Sequence, residues 1–185
     1  DQNVAQKAPT SSSKQPSLFE QGNNGTLPPH IKRGIGFAST LNVGGGARIY
    51  RSDGCGATVK VDDFGHVTLI TGSTEIGQGS ETVLAQIVAQ TLGVKIENIT
   101  VLNSDTDIKP WDVGVHASRT TFIAGNAAYL AAVDARNQIF ETAAQLLGVG
   151  VDQLSASAGQ VTVRGEAGKF ISLEQVARRR HFKEG

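Results

Sequence analysis

The chain has 185 residues, and its 17 Lys and Arg balance 17 Asp and Glu, so the formal charge cancels. That balance excludes a global field drawing it onto nucleic acid or an anionic membrane, and the length suits one domain with a core, or a core plus tails. A single cysteine, Cys55, excludes an internal disulfide framework and a cysteine-only metal site; with no apolar run near the ~18 residues of a membrane span, the expected setting is soluble and cytoplasmic.

Residue 1 is Asp and methionine is absent, which predicts a piece of a longer polypeptide that carries part of a site. Residues 1–30 hold a serine run and four of the five prolines, the composition of a linker or extended arm, either solvated or lying on a neighbouring domain. Pro28 and Pro29 mark the boundary with residues 31–185. Ile35, Phe37, Leu41 and Val43 alternate roughly with small residues, predicting a half-buried strand that Gly44-Gly45-Gly46 ends. No P-loop Lys-Ser/Thr pair follows that triplet, so it reads as a plain flexible turn.

Residues 57–61 and 66–71, joined by Asp62-Asp63-Phe64-Gly65, form a hairpin signal. The second strand runs into Gly72-Ser73-Thr74-Glu75-Ile76-Gly77-Gln78-Gly79-Ser80, a glycine-rich turn before a helix. Val83, Leu84, Ile87, Val88 and Leu92 recur on one helical face, Gly93 stops the run, and Ser80 is the expected N-cap. A helix start of this kind leaves backbone N–H groups unpaired at the positive end of the macrodipole, which favours an anion, most often a phosphate. Residues 96–102 then predict a strand, making strand, helix and strand a crossover unit.

Residues 103–118 are a polar loop containing Asp105, Asp107, Lys109, Trp111, Asp112 and His116. An alanine-rich helix follows over residues 120–147, ending at Gly148. A short strand over 160–164, a turn over 165–169, and a capping-box helix from Ser172 and Gln175 to Arg178-Arg179-Arg180 complete the chain. The expected class is α/β (α+β), a mixed sheet with crossover helices.

His116 with Asp112 and Asp105 lacks metal-ligand spacing, and Ser118 lacks a nucleophile-elbow context. Glu75 would repel a phosphate unless turned away or paired, so a structural use is expected of it. Gln78 offers a neutral donor and acceptor where glycines permit close approach and ranks first as a ligand contact. Ala117-Ser118-Arg119-Thr120-Thr121 repeats the helix-start logic with an arginine able to fork onto phosphate. Two such starts could face one extended ligand with two phosphates.

Thr74-Glu75-Ile76-Gly77-Gln78-Gly79, then Gln86 and Leu92-Gly93, then Ala117-Ser118-Arg119 with Gly125-Asn126-Ala127 together resemble the molybdopterin-binding large subunit of the xanthine dehydrogenase family of molybdenum hydroxylases. The likeness covers most of the chain from about Arg33 and is nearest to bacterial, 4-hydroxybenzoyl-CoA-reductase-like members. It implies that residues 31–185 are the first of two C-terminal cofactor-binding subdomains of an oxidoreductase. The implied cofactor is molybdopterin with molybdenum, in the cytosine dinucleotide form, the metal being held by pterin sulfurs and not by side chains. Gln78 would meet the cofactor's reactive end, with Gly77, Gly79 and Ser80 lining its approach; Ala117, Ser118, Arg119 and Thr120 would meet its pterin and phosphate portion.

The family's catalytic glutamate, in a Gly-Val-Gly-Glu context, has no counterpart here, and neither does its Gly-Gly-Gly-Phe-Gly loop. The resemblance therefore implies no catalytic residue in this chain, with iron–sulfur and FAD partners on other chains or segments, and hydroxylation or reductive dehydroxylation of an aromatic or heterocyclic substrate. The contrasting expectation is a non-catalytic assembly or interaction domain of a multi-subunit complex, whose glycine turns serve packing.

Overall fold

The computed structural model describes residue 30, residues 34–42, residue 44 and residues 53–182. The expected arm and its Pro28-Pro29 boundary (His30 apart), Val43, Gly45 and Gly46 lie outside the described residues. The chain divides into two compact units between Thr40 and Leu41. In the first, residues 34–40 form no helix or strand, and Ile35 and Phe37 are exposed. The predicted half-buried strand is thus corrected over its described part: alternation becomes a strand only when a ladder and an apolar surface complete it, and no ladder includes these residues.

The second unit begins its regular structure with the predicted hairpin, β1 (Ala57–Val61) antiparallel to β2 (Val67–Thr71). Asp62 Oδ1 fixes the turn by accepting the amides of Phe64 and His66, each at 2.9 Å. Helix α1 (Ser80–Leu92) carries the chain over to β3 (Ile99–Leu102), which pairs parallel to β2, so the crossover unit is present. Its strand is shorter than expected because Ile96–Asn98 form a 3-10 turn. In register, Val59, Leu69 and Val101 lie side by side, as do Val61, Val67 and Ile99. That row faces the core shared with Leu84, Val88 and Leu92 of α1.

Helix α2 (Gly125–Leu147) follows a π-helical turn, Thr120–Ala124. Its buried face is Ala128, Ala132, Ile139, Ala143 and Ala144, and the four alanines let α1 and β1 approach closely. A second, antiparallel sheet orders β4 (Leu154–Ser157), β5 (Gln160–Val163) and β6 (Glu166–Ser172). The expected turn over 165–169 is corrected, since β6 already starts at Glu166. Glu166, Ala167, Gly168 and Lys169 have poor strand propensity, and pairing with β5, with a register shift between Thr162 and Val163, supplies what propensity does not. Leu154, Val161 and Val163 join the same core.

The last helix, α3 (Leu173–His181), starts in the expected capping box: Ser172 Oγ accepts the Gln175 amide at 3.1 Å and Gln175 Oε1 accepts the Ser172 amide at 3.1 Å. Ser172→Ala is expected to lower stability by about 1 kcal/mol, read from the urea midpoint.

Candidate functional site

The turn between β2 and α1 is built around Glu75. Its Oε1 accepts the amides of Gly77 (2.7 Å) and Gly79 (2.9 Å), and its Oε2 accepts the Glu81 amide (3.1 Å) and the Ser80 hydroxyl (3.0 Å). The N-cap residue is Gly79, left-handed at φ 78°, rather than Ser80, which is the first helical residue. The N–H groups expected to attract a phosphate therefore already hold a carboxylate from their own loop. This corrects the reading of α1 as a phosphate-accepting helix start, because a second anion would meet Glu75 at contact distance.

Those donors, led by the Gly79 amide, hold the Glu75 carboxyl well below its ordinary value, at about 2. A depressed folded pKa contributes stability that is complete above the unfolded value near 4.5 and is lost as pH falls towards 2. Glu75→Gln is accordingly expected to flatten the stability-versus-pH curve in that acid window, measured as urea midpoints from pH 6 down; an unchanged acid slope would contradict it.

Gln78 closes the turn over this carboxylate. Its Oε1 accepts the Ile76 amide at 2.6 Å, and its Nε2 donates to Thr74 O at 3.1 Å and to Ser80 Oγ at 3.0 Å. The side chain is braced at the surface.

The second predicted cluster stands beside it. An open cleft of about 400 Å3 is lined by Ile76, Gln78, Val115, His116, Ala117, Ser118, Thr120 and Thr121. Two segments about forty positions apart in the chain therefore meet on one ligand-sized surface. Its polar groups are an amide, hydroxyls and an imidazole, without a carboxylate. Ala117 and Ser118 adopt left-handed backbone at φ 49° and 54°, a conformation that costs a non-glycine residue about 1 kcal/mol or more and marks functional loops when it persists. Among the described residues no hydrogen bond satisfies either amide. The π-helical turn that follows is a further local irregularity of the kind that collects at functional sites.

Arg119 departs from expectation. Its side chain is 0 % exposed, so it cannot fork onto a ligand phosphate in this structure. Nε donates to Asp53 Oδ1 at 2.7 Å, Nη1 to Asp112 Oδ1 at 2.9 Å and Gly114 O at 2.7 Å, and Nη2 to Gly54 O at 2.8 Å. The fork that suits a phosphate is used on two internal carboxylates. Sequence reasoning missed Asp53 because it lies 66 positions away, and missed Asp112, only seven positions away, because loop spacing does not show which way its carboxylate turns.

Residues 103–118 work mainly as a wedge behind the cleft. Lys109 Nζ donates to Thr74 Oγ1 at 3.2 Å, tying the wedge to the Glu75 turn. Gly72 lets it pass, since a Cβ there would lie 2.6 Å from Pro110 O and 2.7 Å from Trp111 O. Asp105 turns on itself, accepting the Asp107 amide at 2.9 Å. Among the described residues no group of three His, Cys, Asp or Glu is placed to hold a metal ion. Cys55 is a half-buried thiol raised to about 11, chiefly by burial, and is no nucleophile at neutral pH. A hollow of about 430 Å3 between the end of α1 and β4 is slightly larger than the cleft, but contains neither predicted cluster.

Residues 10–185 match the family of molybdopterin cofactor-binding domains. The chain is 33 % identical over 164 residues to a putative xanthine dehydrogenase molybdenum-binding subunit of Escherichia coli K12, covering 85 % of this chain and 20 % of that protein. It is 42 % identical over 119 residues to the gamma subunit of the 6-hydroxypseudooxynicotine dehydrogenase complex of Paenarthrobacter nicotinovorans, covering 64 % of this chain and 15 % of that one. Among solved structures, quinoline 2-oxidoreductase from Pseudomonas putida 86 superposes with a TM-score of 0.65 at 31 % identity, over 69 % of this chain and 16 % of its own. The chain thus spans about a fifth or less of the length of these relatives. With family match, relatives and fold in agreement, the chain belongs to the molybdopterin cofactor-binding domain family.

Proposed function

We propose that the cleft between the Glu75 turn and residues 115–121 receives part of a molybdopterin cofactor, in its cytosine dinucleotide form, within a molybdenum hydroxylase. The observation that carries this is the convergence of Gln78 with Ala117, Ser118 and Thr120 on one neutral, hydroxyl- and amide-rich cleft. Such a lining fits a polar pterin, and unpaired amides at Ala117 and Ser118 fit its heteroatoms or phosphate oxygens. Because Glu75 fills the start of α1, the anionic end of the ligand belongs on the side of residues 117–120, away from Gly77, Gly79 and Ser80. None of those three lines the cleft; they flank Gln78, and Ser80 Oγ accepts from Gln78 Nε2 and helps to hold it in place. When bound, the cofactor supplies the redox chemistry at molybdenum; this chain binds and orients it.

The wider enzyme is part of the same proposal. Relatives named for quinoline and nicotine support an aromatic heterocycle as substrate, while those named for carbon monoxide keep other substrates in the family. Their names as subunits support assembly with further subunits, which in this proposal carry the iron–sulfur clusters and flavin, and the single free thiol supports a cytoplasmic home. Among the described residues no helix is long and apolar enough to cross a membrane.

The test is cofactor content of the assembled protein, by molybdenum and cytosine nucleotide analysis. Gln78→Ala is expected to weaken retention about tenfold, the loss of one or two hydrogen bonds. Retention equal to wild type would remove Gln78 from the site, and absence of pterin from wild type would overturn the function.

A further inference from the structure

The buried Asp53, Arg119 and Asp112 cluster is larger than the fold itself requires. Arg119 is 0 % exposed and each carboxylate 3 %, and the second oxygens, Asp53 Oδ2 and Asp112 Oδ2, have no hydrogen-bond partner among the described residues. One formal positive charge faces two negative ones. Desolvating three ions costs several kcal/mol apiece, and apolar side chains of the same volume often serve stability as well or better. A cluster retained at that cost calls for a role in specifying a conformation.

Its position supplies the role. The Arg119 amide donates to His116 O at 3.1 Å, closing a turn over Ala117 and Ser118, and Arg119 O accepts the Ile123 amide at 2.7 Å, starting the π-helical turn. Arg119 therefore stands at the junction of the two strained features that shape the cleft. Its side chain reaches to Gly54 O and Gly114 O as well as to both carboxylates, so four bonds to two separated segments, 53–54 and 112–114, fix its position. Asp112 Oδ1 also accepts the Gly114 amide at 2.6 Å, which stiffens the wedge on the same anchor.

We infer that Arg119 is a positioning residue: anchored on Asp53 and Asp112, it holds Ala117 and Ser118 in the left-handed conformation that presents their amides to the cofactor. This rests on the proposed cofactor cleft and assigns Asp53 and Asp112 a role in ligand retention that neither has by contact. A lysine retains the charge without the planar fork. An asparagine at position 53 retains the shape without the charge.

The experiment measures the rate of cofactor loss, as molybdenum released on dialysis of the assembled holoprotein, beside the thermal midpoint. Arg119→Lys and Asp53→Asn are each expected to release cofactor about tenfold faster than wild type, whereas Leu154→Ala, a core change in the second sheet, stays within about twofold despite an equal or larger fall in midpoint. Leu154 is fully buried and remote in sequence from the cleft segments, so it reports general destabilisation. If both variants release at the control rate for their midpoint, the positioning role is overturned while the cofactor site stands. Should Arg119→Lys not assemble, Asp53→Asn decides the matter by the same comparison. A wild-type protein that holds no pterin overturns the site and this role together.

Discussion

Replacing Arg119 by methionine is expected to lower the stability of the chain by about 3–5 kcal/mol. Methionine fills much of the volume but leaves Asp53 and Asp112, both 3 % exposed, with no cation between them. It also orphans Gly114 O, which now accepts from the guanidinium at 2.7 Å, and leaves Gly54 O, now accepting at 2.8 Å, with only the long 3.4 Å bond from the Val113 amide. Deleting one partner of a buried ion group costs more than the group contributes net, because the remaining charges cannot return to water. The check is urea unfolding followed by the fluorescence of the single tryptophan, Trp111, which sits in the wedge. A loss below about 1 kcal/mol would place the cluster in the range of exposed surface pairs and contradict its burial.

Gly72→Ala is the second large effect, expected near 3 kcal/mol, at the upper end for overpacking. Its added Cβ would stand 2.6 Å from Pro110 O, 2.7 Å from Trp111 O and 2.8 Å from Asp112 Cβ. Two of these neighbours are backbone, so no rotamer change relieves the contact. The wedge must shift, taking Asp112 off Arg119 and Lys109 off Thr74. Stability and cofactor retention should therefore fall together. Gly77→Ala is a useful contrast: nothing lies within 4 Å of its Cβ position, so its cost is backbone strain at φ 96° with no collision. Equal stability of Gly72→Ala and wild type would disprove the close passage of the wedge.

Much of the fold was legible because it is local. The hairpin, α1 with its stop at Gly93, the alanine face of α2 and the Ser172 box each depend on residues close in the chain, and the parallel return of β3 follows from the strand, helix, strand order. Strands β4 and β6 were not, since their residues become strands by pairing with β5. The same boundary runs through the site. Gln78 and residues 117–120 could be singled out by their glycines, hydroxyls and helix starts, and the family resemblance placed both in one cofactor site. Whether the helix starts were vacant could not be read: a structural use was expected of Glu75, but not which amides it would take, although a carboxylate preceding a helix by a few residues is the natural partner for its first amides.

The sequence by itself determined most of the elements, the family resemblance and the two segments that fold around one cleft, because periodicity, turn chemistry and motif order act over short stretches. Only the tertiary structure decided which groups remain free for a ligand. Hydrogen-bonding capacity is finite, and partners such as Asp53, 66 positions from Arg119, become neighbours only on folding. A guanidinium read as an open phosphate fork is thus a buried anchor, and the Gly77, Gly79 and Glu81 amides at the start of α1 already hold Glu75. Ala117 and Ser118 line the cleft, and among the described residues their amides have no hydrogen-bond partner.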